Sequence, residues 1–150
     1  MTPTPASTPT PVSTSTTTPA RSAPALPEAV VRAGRQALEH IAQPMDGLQA
    51  ALLTTPDGFE IASLSLRTDL HAHRVAAMAS SLMAMARAVG REVQFTGCKR
   101  LTFETDTGVV IFQAIEGSFP SILCLVLDSK ALLGRAIWAA SEITQAMEAA

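Results

Sequence analysis

Tyrosine is absent from this 150-residue chain, tryptophan occurs once, and aromatic residues make up only 4% of it. A core without large rings has to be filled by Ala, Leu, Val, Ile and Met. Two cysteines are too few for a disulfide framework. Cys98 and Cys124 are expected in strands as free, buried thiols of a reducing cytoplasm, a single disulfide being the alternative. No apolar run approaches the ~20 residues of a membrane span. The N-terminus lacks a charged start leading into an apolar stretch, so no signal peptide is expected. A net charge of -2 leaves no basic excess for nucleic acid. The pattern GxxxxGK(S/T) does not occur, so no nucleotide phosphate should be cradled and no cofactor is expected.

What is present divides in two. Residues 1–27 contain 7 Pro, 8 Thr, 4 Ser and 4 Ala. Such a segment has little to bury and cannot offset its ordering entropy. It is expected to be a disordered spacer of polyproline character, with docking to a proline-recognising partner as the sharper alternative.

Residues 28–150 read as one domain. Glu28 to Gln43 predicts a helix whose stripe is Val30, Val31, Gly34, Ala37, Leu38 and Ile41, ended by Pro44. Apolar residues then run into Thr55-Pro56-Asp57-Gly58 and resume at Phe59, a hairpin of strands 48–54 and 59–65. Asp69 is the expected N-cap of a second helix over 70–92. Strands follow at 98–105, 109–115 and 121–127, and a last helix runs from Lys130 to Met147. The runs "VVIFQAI" and "ILCLVL" are almost continuously apolar, as in strands covered on both faces. In "CKRLTFET", Leu101 and Phe103 alternate with Arg100, Thr102 and Glu104, the pattern of a strand near an edge.

The second helix carries unusually little charge. "VAAMASSLMAMA", residues 75–86, has none. Periodicity predicts that Val75, Met78, Ala79, Leu82, Met85, Ala86 and Val89 pack on the sheet. The other side then holds His73, Ala77, Ser80, Ala84, Arg87 and Arg91, with Ser81 and Ala88 beside them. Small uncharged residues on an outer face let another helix approach closely.

In order and pattern these segments resemble the Roadblock/dynein light-chain family over about residues 28–148. The resemblance rests on "GLQAALLTTPDGFEIAS", on "HRVAAMASSLMAMARAVG", on "LTFETDTGVVIFQAI", and on "SILCLVLDSKALLG" with its Asp128-to-Gly134 spacing. It implies a profilin-like α/β sandwich: a five-stranded antiparallel sheet covered by helices on both faces, in the order α-β-β-α-β-β-β-α. It implies a cytoplasmic homodimer joined through the second helix and third strand. It further implies a non-catalytic regulator or scaffold of a Ras-like small GTPase, of bacterial gliding-motility type, a role that in some members extends to stimulating GTP hydrolysis in the partner. A scaffold of the same fold that binds a kinase module is the alternative. The expected dimer contact comprises Ala77, Ser80, Ser81, Ala84, Arg100, Leu101, Thr102 and Phe103, and the expected partner contact Arg74, Met83, Arg87 and Arg91.

Reactive chemistry is poorly served. His71 and His73 are two apart on a helix and point to different sides, which suits no shared metal. Lys99 and Arg100 beside Cys98 would suit a small redox or hydrolytic enzyme, but strand burial favours an inert thiol. Asp57, Asp69 and Asp106 are accounted for by turns and caps.

Overall fold

A computed structural model describes residues 1–3, 5 and 22–150. The expectation of a disordered tail therefore falls mostly outside the described residues. At its end, Leu26 is half-buried against the core, and the Pro27 carbonyl accepts hydrogen bonds from the N–H groups of Val30 and Val31.

Helix α1 spans Glu28–Ala37 and passes directly into a π-helical turn, Leu38–Ala42, closed by Gln43 N–H donating to the Leu38 carbonyl at 2.9 Å. Strands β1 (Leu48–Thr54) and β2 (Glu60–Ser65) form the first hairpin. Helix α2 spans Ala72–Glu92; strands β3 (Arg100–Thr105), β4 (Gly108–Ile115) and β5 (Ser121–Asp128) follow, and α3 (Leu133–Glu148) closes the chain. All pairings are antiparallel, in the order β2-β1-β5-β4-β3. This is the α-β-β-α-β-β-β-α sandwich expected above. The longest apolar runs, β1, β4 and β5, lie inside the sheet, where both faces are covered.

Strand alternation sorts their side chains into two cores. Ala51, Leu53, Ile111, Leu123 and Leu125 face α1 and α3. Leu52, Phe112, Ile122 and Cys124 face α2. As its alternation required, β3 is an edge: it pairs with β4 alone, and Thr102 to Thr105 are exposed.

Two expectations about α2 do not hold. Asp69 is not its cap. The carboxylate is taken by Arg67, whose Nε donates to it at 2.9 Å, and the helix starts three residues later, after His71. That hydrogen bond holds the Asp69 carboxyl below its ordinary range. The buried stripe is also rotated. Ala76, Ala79 and Met83 face the sheet, while Met78, Met85 and Val89 are 54%, 65% and 63% exposed. The reason is close approach. The hairpin turn presses on the helix: Gly58 takes φ +88°, and a Cβ there would lie 3.2 Å from the Ala77 Cα. With alanine at 76 and 79 the helix lies close to the sheet, and Met83 is the one large α2 side chain that is fully buried there.

Candidate partner-binding surface

The outward face of α2 is built by that rotation. Met78, Met85 and Val89 recur at steps of seven and four, within about 40° of one another around the helix. Leu82 and Val75, on the side nearer the sheet, are half-buried against the α2 core together with Leu101 and Val110. On the open strand β3, Phe103 is 40% exposed, and its ring lies 6.0 Å from that of Phe112.

The strip continues past the helix. Gln94 adopts a left-handed φ of 62°, and the Phe95 N–H returns to the Gly90 carbonyl at 2.8 Å. This is a Schellman-type ending with glutamine where glycine is usual. Val93 and Phe95 are left 52% and 72% exposed. Met78, Met85, Val89, Val93 and Phe95 were not among the surface residues expected from sequence. A dense apolar run on a helix whose core side is alanine was the available signal.

The expected dimer residues are distributed unevenly. Ala77, Ser81 and Ala84 are exposed on the arc adjoining the methionine strip. Ser80 is half-buried, and its hydroxyl donates to the Pro56 carbonyl, fastening helix to hairpin. Arg100 is held against β4, with Nε donating to Gln113 Oε1 at 2.7 Å, and Leu101 packs inward, whereas Thr102 and Phe103 are open. Among the expected partner residues, Arg74, Arg87 and Arg91 are exposed, and none forms an ion pair among the described residues. Met83 is the correction. It is 1% exposed, on the sheet side of α2, and cannot reach a partner.

The two thiols differ in their surroundings. Cys98 precedes β3 rather than lying within it, half-buried, with its sulfur directed at the Arg100 carbonyl at 3.7 Å. Cys124 is buried in β5, and burial pushes its thiol up to about 12. The folded chain therefore keeps this proton through a range in which an unfolded chain, near 9.0, has lost it. Stability contributed by the neutral thiol is complete below pH 9 and is lost as pH rises towards 12. Relative to Cys124→Ala, the unfolding free energy of the unaltered chain, read by urea titration, should fall across that range by roughly 1.4 kcal/mol per pH unit. Parallel pH profiles of the two proteins would refute this. Among the described residues, no group of three or more His, Cys, Asp and Glu could hold a metal, and no helix is long and apolar enough to cross a membrane.

The fold is an α/β sandwich whose α2 helix exposes Met78, Met85 and Val89. Residues 38–126 match the Roadblock/LC7 domain, and the chain belongs to that family. Its fold is shared with the gliding protein MglB of Thermus thermophilus, at 18% identity and a TM-score of 0.71, over 83% of this chain and 92% of that one. MglB in a tetrameric arrangement matches at 19% identity and a TM-score of 0.73, over 83% and 91%. A Roadblock/LC7 domain from Streptomyces avermitilis matches at 21% identity and a TM-score of 0.62, over 76% and 91%. No curated protein matches the sequence.

Proposed function

We propose that this chain is a non-catalytic homodimeric regulator or scaffold of a Ras-like small GTPase, acting in the cytoplasm of a bacterium and binding no nucleotide itself. One observation carries the reading: α2 exposes Met78, Met85 and Val89, and the sheet ends in an unpaired edge strand, β3, that bears Phe103. Apolar side chains beside free strand N–H and C=O groups suit a second copy, which covers both at once. A twofold arrangement brings the two α2 helices side by side and pairs β3 with its copy. Ala77, Ser81 and Ala84 form the small-residue flank of that contact. The likeness to a gliding protein, MglB, supports a regulator of motility type.

In this dimer two α2 helices make one platform, with Arg74 beside the strip and Arg87 and Arg91 exposed near the C-terminal end of the helix, none in an ion pair among the described residues. A GTPase docks there through the loops that order around its γ-phosphate, and preference for the GTP form comes from contacts made only when those loops are ordered. The arginines steer the encounter. Arg74→Glu or Arg87→Glu should slow association about tenfold at low salt and leave any hydrolysis step nearly unchanged. Calorimetry tests the reading: no heat with GTP alone, and binding to a GTPase of the same cell held in its GTP form but not its GDP form. Tight binding of GTP by the chain itself, or equal binding to both forms of every GTPase tried, would sink it.

A further inference from the structure

The only tryptophan is not in the core. Trp138 lies on α3 and is 54% exposed, while the helix buries Ala136, Ala139, Ala140, Ile143 and Met147. The Arg135 guanidinium sits over its ring, 5.7 Å from the centroid. Neither Arg135 nor Glu142 forms an ion pair among the described residues. The core makes no use of this ring, and an exposed tryptophan forgoes more apolar burial than any other side chain would.

Its neighbours follow a pattern. Positions 134, 138, 141 and 145 recur at steps of four, three and four, the spacing of a helix–helix seam. The seam reads Gly134, Trp138, Ser141, Gln145: one large ring beside small residues. Laid antiparallel on itself, it sets 138 against 141 and 134 against 145, so each ring meets the second copy's small serine. In an antiparallel pair, flanking positions of one kind face each other. Here those positions are 135 and 142, and the alignment sets Arg135 of each copy against Glu142 of the other. In a parallel alignment positions 135 and 142 would lie on opposite sides of the seam from their copies, and no Arg135–Glu142 pair would form.

We propose that the outer face of α3 is a second self-association surface: an antiparallel, twofold contact centred on Trp138 and Ser141 and closed by two Arg135–Glu142 pairs. The face lies across the sheet from α2, because α1 and α3 cover one side and α2 the other. It leaves the α2 and β3 contact free. The inference stands on α3 alone: joined to the α2 dimer it links two dimers, and without that dimer it gives a dimer of its own. A single crossing of a helix ~24 Å long covers less than the ~800 Å² per partner of a stable interface, so the contact is weak and gains strength when chains are already paired.

The lone tryptophan is also the reporter. For the full chain, sedimentation velocity at increasing concentration should show a larger species, with Trp138 emission shifting to the blue in step. Arg135→Glu and Glu142→Arg should each weaken this association about tenfold, since each turns two attractive contacts into two repulsive ones. The double exchange, Arg135→Glu with Glu142→Arg, should restore it to within about threefold, and Trp138→Ala should abolish it. All these positions are outside the core, so thermal midpoints should stay together. Repeating the series in a Met85→Glu/Val89→Glu background separates the two surfaces: the α3 contact persists there as a monomer–dimer equilibrium even if the α2 reading is wrong. A double exchange as weak as the single variants, or a tryptophan emission that ignores concentration, would overturn the proposal.

Discussion

Met85→Glu together with Val89→Glu is expected to leave the α2 dimer monomeric at concentrations where the unaltered chain is paired. Both side chains are more than half exposed, and neither contributes to the α2 core. Their replacement should therefore leave the fold intact, with a thermal midpoint within a few degrees of the parent. In the proposed dimer each position occurs twice near the twofold axis, so four apolar side chains become four carboxylates. Burying a Met or Val stabilises by roughly 1.5–3 kcal/mol, and like charges in a desolvated contact add to the loss. A cost of at least ~4 kcal/mol, a thousandfold in the dissociation constant, is the conservative expectation. Sedimentation equilibrium measures it directly. Ser80→Glu makes a contrasting variant: its hydroxyl is committed to the Pro56 carbonyl, so it should lower the thermal midpoint rather than act on assembly alone. A double variant that still dimerises as tightly as the parent would place the interface elsewhere on the molecule.

The rotation of α2 marks where sequence reasoning ran out. The strands were readable because period-two alternation and continuous apolar runs report directly on one-sided and two-sided burial. Thr55-Pro56-Asp57-Gly58 was readable because each residue is suited to its place in the turn. In α2 the apolar residues occupy more than half of the circumference, so periodicity defines no unique inner face. Ranking by hydrophobicity sends Met78 and Met85 inward. Packing chooses otherwise: Ala76, Ala79 and Met83 are the residues buried against Leu52, Phe112, Ile122 and Cys124. Met83 was thus misplaced on the surface for the same reason that Met85 was misplaced in the core. The error touches the site more than the fold: the helix and its edge strand were found, and the face they present was not. Asp69 failed differently. A cap and a carboxylate two residues from an arginine look alike in sequence, and only the chain's path before α2 decides between them.

Gly47→Ala should be strongly destabilising, because strain and overlap act there together. Gly47 joins the π-helical turn to β1 with φ at +81°, a conformation that costs an L-residue about 1–2 kcal/mol. Its surroundings are tighter still. A Cβ would lie 2.5 Å from the Ala131 nitrogen and 2.7 Å from Asp128 Oδ1, neither of which is free to move. Asp128 is held at four points: its N–H donates to the Gly47 carbonyl at 2.8 Å, its carbonyl accepts from Ala131 N–H at 3.2 Å, Oδ1 accepts from Lys130 N–H at 2.8 Å, and Oδ2 from Gln49 Nε2 at 2.9 Å. This cluster ties the start of β1 to the turn between β5 and α3, and so fixes where α3 leaves the sheet. Overlap with it should cost a further 1–3 kcal/mol, giving about 2–5 kcal/mol in total. The aspartate that opens the Asp128-to-Gly134 spacing is therefore the anchor of the turn, and the glycine that matters to it is Gly47. Gly134, at the other end of that spacing, has nothing within 4 Å of where its Cβ would stand. As the second residue of α3 it should accept alanine with stability unchanged or raised by up to ~1 kcal/mol. Urea unfolding of the two variants beside the parent tests both halves together. A Gly47→Ala protein within ~1 kcal/mol of the parent would mean that the turn can relax without loss, and that Asp128 does not hold α3 in place.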